Sequence, residues 1–221
     1  MPCPGHGVKE AADLPGGVLI SHLKQEDNMK LRIASFVAAI ALGANIASAQ
    51  SIGIYGDPAG ANCNLTAGVF QAFNWYILAT LGGAAAAGTT GGEFRVDNWP
   101  ASWSFNTITP NAGANLTLGG PLSGGCNIAF PACQPGTGGV VLLYAVNTLP
   151  LDAQSNRTVA VLKHTSPSNI NFQCPLMTLC DIPVFTKICV SGGQAKINGP
   201  GNCTVAVERK TWSNVKALYN N

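Results

Sequence analysis

The chain has 221 residues, with 12 basic and 10 acidic side chains giving a formal net charge of +2, and eight cysteines. Charge this sparse and this scattered excludes the electrostatic footprint that a nucleic-acid binder needs. A polar surface carried mostly by Gly, Asn, Thr and Ser instead suits an extracellular protein built of strands and turns.

Residues 1–28 (MPCPGHGVKEAADLPGGVLISHLKQEDN) place Pro, Gly and acidic residues where a leader would simply begin. Met29 opens a better one. Lys30 and Arg32 form a charged head, residues 33–44 an apolar stretch, and Ala47-Ser48-Ala49 a small-x-small cleavage site. A cleavable signal helix is therefore expected over 29–49, with Gln50 as the first mature residue. The genetic code supports that start, since Gln25-Glu26-Asp27 can be encoded CAG-GAG-GAY, which contains AGGAGG, a bacterial ribosome-binding sequence. Residues 1–28 are then an upstream extension without fixed structure. The apolar segment is short for the about 20 residues of a membrane span, so membrane contact is expected only through the signal before cleavage. The product is expected to be secreted, periplasmic or at the cell surface.

Residues 50–210 are expected to form one domain, long enough for a real core. Residues 52–55 open it as a first strand. Phe73, Trp75, Ile77, Ala79 and Leu81 then alternate with Asn74, Tyr76, Leu78 and Thr80, the pattern of a strand with one face on a core. The run 82–90 (GGAAAAGTT) reads as a flexible loop rather than a helical turn, because glycines flank it. Phe94 and Val96 alternate with Glu93, Arg95 and Asp97, and further strands are expected at 103–106, 115–118, 126–130, 140–149, 157–163, 184–190, 194–198 and 203–208. Glycine-rich turns such as Gly119-Gly120-Pro121 and Gly199-Pro200-Gly201 separate them. Many short strands at this spacing predict an all-β chain, an antiparallel β-sandwich. In the tail, 211–221, Trp212, Val215 and Tyr219 share one face of a short C-terminal helix with Thr211 as N-cap, a packing element or a tag read by another protein.

Seven cysteines follow the signal: Cys63, Cys126, Cys133, Cys174, Cys180, Cys189 and Cys203. Export makes them disulfide candidates, and neither tight C-x-x-C pairs nor histidines at ligand spacing favour a metal. Connectivity is open from sequence. Cys126/Cys133 and Cys174/Cys180 can close short loops and Cys189/Cys203 a longer one, which leaves Cys63 over. The loop GDPAGANCN gathers oxygens from Asp57, Asn62 and Asn64, but one carboxylate is poor for calcium, and Asp57-Pro58 followed by Gly60 reads as a turn. The N-x-[ST] sites at Asn64, Asn115, Asn156 and Asn202 are read as chance products of an Asn- and Thr-rich surface.

Catalytic chemistry finds little to use after residue 49. His164 is the single histidine there, and a triad would have to join it to a distant Ser123 and to Asp152 or Asp181, without a G-x-S-x-G elbow. A thiol reading would pair it with Cys63, which export leaves oxidised or buried. Glu93 beside Arg95 reads as a solvated strand face rather than one of two glycosidase carboxylates. No cofactor motif is read. Trp99 and Trp103, either side of Pro100 in DNWPASW, sit at a strand end where rings can stack on a sugar, although burial is the commoner fate of tryptophan.

The segments SIGIYGDPAG, GGEFRVDNWP, GCNIAFPAC, NFQCPLMTLCDIPVFTKICVSGG and CTVAVERKTWSNVKALY together resemble a group of short secreted bacterial proteins without a characterised activity. The order of strands around GGEFRV and VVLLYAVNTL is similar to cohesin-like and immunoglobulin-like sandwiches, which mediate extracellular binding. The resemblance implies a fold rather than a site. The expectation is a secreted, non-catalytic binding or structural module with a glycan or protein partner and no nucleic acid. A secreted hydrolase with an unrecognised site is the alternative, and a disulfide-rich inhibitor or toxin fits less well with a core of this size.

Overall fold

The computed structural model describes residues 50–200. The expected extension, signal helix, strand at 203–208, Cys203 and tail helix lie outside the described residues. In chain order the strands are β1 (Ser51–Tyr55), β2 (Asn64–Leu65), β3 (Phe73–Thr80), β4 (Thr89–Asp97), β5 (Phe105–Pro110), β6 (Leu116–Gly120) and β7 (Gly125–Gln134). They continue with β8 (Val140–Leu149), β9 (Arg157–Leu162), β10 (Leu176–Leu179), β11 (Lys187–Cys189), β12 (Ser191–Gly192) and β13 (Gln194–Ile197).

One sheet runs β12-β1-β3-β8-β5 and the other β11-β10-β4-β9-β13-β2, with β7 paired to β4 and β6 beyond β7. The predicted sandwich is the architecture found. Phe94 of β4 meets Tyr144 of β8 edge to face, with centroids 6.1 Å apart, so the two sheets touch through their inner faces. Gly92 of β4 faces the same interior, where Ile52 Cδ1 and Leu143 Cδ1 come within ordinary contact distance of it. Trp75, Ile77, Phe94 and Leu143 are fully buried, each contributing about 1.5–3 kcal/mol of burial. Two short pairings, β1 with β12 and β13 with β2, are parallel, an addition to the antiparallel plan.

Alternation holds along β3 for Trp75, Ile77 and Ala79. Leu78, expected outside, is buried as well, beneath the loop at Gly60. The 82–90 loop does contain one helical turn, a 3-10 turn over Gly83–Ala85, and β4 starts at Thr89 rather than at 93. The Thr89 hydroxyl explains the early start, because it donates to the carbonyl of Thr178 on β10 at 2.8 Å. The strand expected over 184–190 begins only at Lys187. Ahead of it the Asp181 carbonyl accepts the N–H groups of Val184 (2.7 Å) and Phe185 (3.1 Å), and its carboxylate accepts that of Thr186 (2.8 Å), which curls the chain into a turn.

Candidate functional site

Of the two tryptophans singled out as ligand contacts, Trp103 is part of the interior and Trp99 packs against it. Trp103 is 1% exposed, stands edge-on to Phe73 and Trp99, and donates through Nε1 to Asp152 Oδ1 at 2.7 Å. Trp99 is half-buried and stacks on Trp75 at 4.5 Å. Trp103 thus has no face left for a sugar, and the face of Trp99 that meets Trp75 is likewise taken.

Of the residues weighed for catalysis, Ser123 and His164 lie on adjoining segments, since Thr165 donates to the Gly124 carbonyl, but they bond to other groups rather than to each other. His164 lies over Gly125, and its Nδ1 accepts the Ser166 N–H at 2.9 Å. The Ser123 hydroxyl turns to the Gly120 carbonyl at 3.4 Å. Asp152 is held by Trp103, by Gln154 at 2.9 Å and by Ser102 at 3.0 Å, and Gln154 leads these in drawing its carboxyl below the ordinary range. Asp181 is lowered first by the Thr186 hydroxyl and then by its N–H. In the 57–62 loop burial pushes the Asp57 carboxyl up, but the backbone N–H groups of Asn62, Ala61 and Ala59 outweigh it and hold the group below its usual value. Asp57 is thus the hub of a turn. Among the described residues no three His, Cys, Asp or Glu side chains gather as a metal cluster would.

The cysteines pair otherwise than their spacing suggested. Cys133 bonds Cys180, and Cys174 bonds Cys189, with Cα atoms 5.3 and 5.5 Å apart. Cys63, expected to be left over, is itself disulfide-bonded. Cys126 is the free thiol among the described residues, because it points inward from β7 into the core while Cys133 sits at that strand's far end. Burial pushes the Cys126 thiol up to about 12. Tyr144, beside it, is raised by its own burial and by Cys126.

A different region has the makings of a site. Registers across β6, β7, β4, β10 and β11 align Leu116 with Ala129, Gly91, Thr178 and Lys187, and Leu118 with Asn127, Glu93 and Leu176. Paired residues share a face, so these side chains form the outer face of the second sheet. Leu116 and Leu118 are 48% and 55% exposed, and the turn before β11 adds Ile182, Val184 and Phe185, also exposed. Between them runs a groove of about 260 Å³ bordered by Gly91, Glu93, Asn127, Leu176, Phe185 and Lys187, among others. Gly91 is required there because a Cβ would meet the Ile128 carbonyl oxygen at 2.5 Å.

Glu93 corrects the solvated-strand reading. Its residue is 4% exposed, and Oε1 accepts the Ser168 N–H at 2.8 Å. Oε2 is buried and has no hydrogen-bond partner among the described residues. Arg95, its expected neighbour in charge, pairs with Asp97 instead. Lys187 Nζ donates to Ser168 Oγ at 3.0 Å, so Ser168 is held between the carboxylate and the ammonium. Sequence held one signal for this face, the apolar alternation of Leu116 and Leu118 in a strand flanked by glycines.

No protein-family model matches the chain, and no curated protein is significantly similar to it. Among solved structures it is similar to a cohesin module from the family 33 glycoside hydrolase of Clostridium perfringens, at 13% identity and a TM-score of 0.44 over 69% of this chain and 98% of that one. It is also similar to the sixth cohesin of Acetivibrio cellulolyticus scaffoldin B, at 9% identity and 0.42 over 69% and 100%. A type III cohesin module from the ScaE cell-surface anchoring scaffoldin of Ruminococcus flavefaciens follows at 15% and 0.37 over 69% and 88%. Likenesses of this size assign neither a family nor a ligand.

Proposed function

We propose that the chain is a secreted, non-catalytic β-sandwich that acts as an extracellular binding module and docks a protein partner on the outer face of its second sheet. The observation that carries this reading is the exposure of Leu116 and Leu118 on the strand beside one shallow groove and of Phe185 at its border, with Val184 just before it in the chain. Apolar side chains scattered singly need no explanation, but grouped on one sheet face they mark a contact surface. Disulfides support the extracellular setting. Glycoside cleavage in this groove is disfavoured because Glu93 is the one acid among its described lining residues, whereas that chemistry uses two facing carboxylates.

The test uses the chain as immobilised bait for cell-surface proteins of its source. A partner retained by the native chain and lost from Leu116→Asp/Leu118→Asp, with the melting temperature unchanged, supports the reading. Equal retention by both baits overturns it. So does turnover of an ester, peptide or glycoside that His164→Ala lowers by about a hundredfold, the mark of a lost general base.

A further inference from the structure

We infer that the groove beside Glu93 receives an arginine side chain of the protein partner, with the guanidinium on Glu93 Oε2 and its flat face against Phe185. This rests on the docking reading above and specifies what the docked surface must present. The starting point is a carboxylate more than nine-tenths buried and only half satisfied: Oε1 has the Ser168 N–H, while Oε2 has no donor among the described residues. A buried charged oxygen without a donor is costly, and nearly all such groups are matched by something. Glu93 borders the groove on the proposed contact face, so its carboxyl, covered in the free chain, must turn toward that opening when a donor arrives.

The chemistry of the surroundings narrows that donor. An anion is repelled by the carboxylate. A metal ion would want several further charged ligands, and Glu93 is the one acid among the described residues that border the groove. A cation with N–H donors fits the charge. Between the two natural ones, a guanidinium is planar, weakly hydrated on its faces and able to stack on an aromatic ring, whereas an ammonium is a strongly hydrated point charge. Phe185 offers such a ring at the groove's border, 46% exposed, and Leu176 with the bare backbone of Gly91 makes a slot without competing charge on that side. Asn127, opposite Glu93 across the β4–β7 pairing, offers an amide oxygen to further N–H groups.

One group opposes a cation. Lys187 also borders the groove, its Nζ directed to Ser168 Oγ. Its charge weakens an incoming guanidinium, which gives the inference a sign that no sugar or anion shares. Removing that charge tightens a cation's binding and loosens an anion's.

The experiment follows backbone amides by NMR in the 15N-labelled full chain while N-acetyl-arginine amide is added, with N-acetyl-citrulline amide as the uncharged analogue of nearly the same shape. A single charge-assisted pair leads to a Kd on the order of 10 mM. Saturable shifts are expected at Gly91, Gly92, Glu93 and Ser168 with arginine amide and not with the citrulline analogue. Glu93→Gln, close in shape to the native side chain, should weaken them by about tenfold. Phe185→Ala should weaken them about threefold, and Lys187→Gln should strengthen them about twofold. Both of these residues are exposed, so the test stands even where Glu93→Gln fails to fold.

Equal shifts from the citrulline analogue, shifts indifferent to Glu93→Gln, or weakening by Lys187→Gln would overturn the inference. So would a persistent water on Oε2 that arginine amide does not displace, or shifts at the same amides from N-acetylglucosamine and none from arginine amide. Partner retention abolished by Leu118→Asp but untouched by Glu93→Gln sinks the arginine while leaving the docking face standing. Site-specific arginine shifts in a chain that retains no protein on this face sink the docking reading and, with it, the partner named here.

Discussion

Trp103 and Asp152, 49 residues apart, are joined by a 2.7 Å hydrogen bond from indole Nε1 to carboxylate Oδ1. The ring fills the interior beside Phe73 and Trp99, and the carboxylate at the surface satisfies its one polar atom. Trp103→Ala should therefore cost about 3–5 kcal/mol of unfolding free energy, through the cavity it leaves and the donor partner it strands. Phe185→Ser, on the exposed face, should stay within about 0.5 kcal/mol. Urea unfolding of both variants checks the contrast, and a Trp103→Ala chain as stable as the native one would place that ring outside the core.

Peptide mapping of the non-reduced protein should recover Cys133 with Cys180 and Cys174 with Cys189. The Cys126 peptide should take up iodoacetamide only after unfolding, since its thiol is buried and raised to about 12, leaving almost no thiolate at pH 8. Recovery of a Cys126 to Cys133 bridge would contradict the β7 geometry, in which the former faces the core.

Acid should weaken the fold in a direction set by three aspartates. Asp57, Asp152 and Asp181 all have carboxyls held below their ordinary value in the folded chain. A group depressed in this way adds stability that is fully present above the unfolded value of about 3.9 and is lost as pH falls through the lower folded value. The melting temperature should be flat in this respect from neutral pH down to about 5 and fall below about 4. Asp181→Asn should flatten part of that fall, because the N–H of Thr186 would then meet a neutral acceptor.

Alternating strands were legible from sequence, and so was the fully covered β1, but other covered stretches were not. β3 and β8 announce themselves because Trp75 and Val146 alternate with Asn74 and Asn147, and the two strands then pair along their lengths. The first six residues of β4 are all buried, so no alternation marks where it begins, and β10 is hidden in the same way between Cys174 and Cys180. Glu93 was misread for a related reason. Its immediate neighbours look like an exposed strand face, but the cover comes from Ser168, 75 residues away, and nothing local records that contact. Trp99 and Trp103 show the converse, since the sequence placed them at a strand end correctly while only the packing of Phe73 and Trp75 decides that they turn inward.

Cys180 and Cys189 bracket the turn that carries Ile182, Val184 and Phe185, and each is bonded to a different part of the molecule. A surface loop normally surrenders backbone freedom when a partner orders it, a cost of about 1–2 kcal/mol for each residue fixed. Here both ends of the loop are clamped before any partner arrives, so much of that loss has already occurred during folding. The gain shows as residence time: the clamped loop should slow dissociation far more than it speeds encounter. If the proposed docking face is used, reducing agent should therefore shorten the lifetime of the complex from a distance, through cysteines that lie outside the groove's lining.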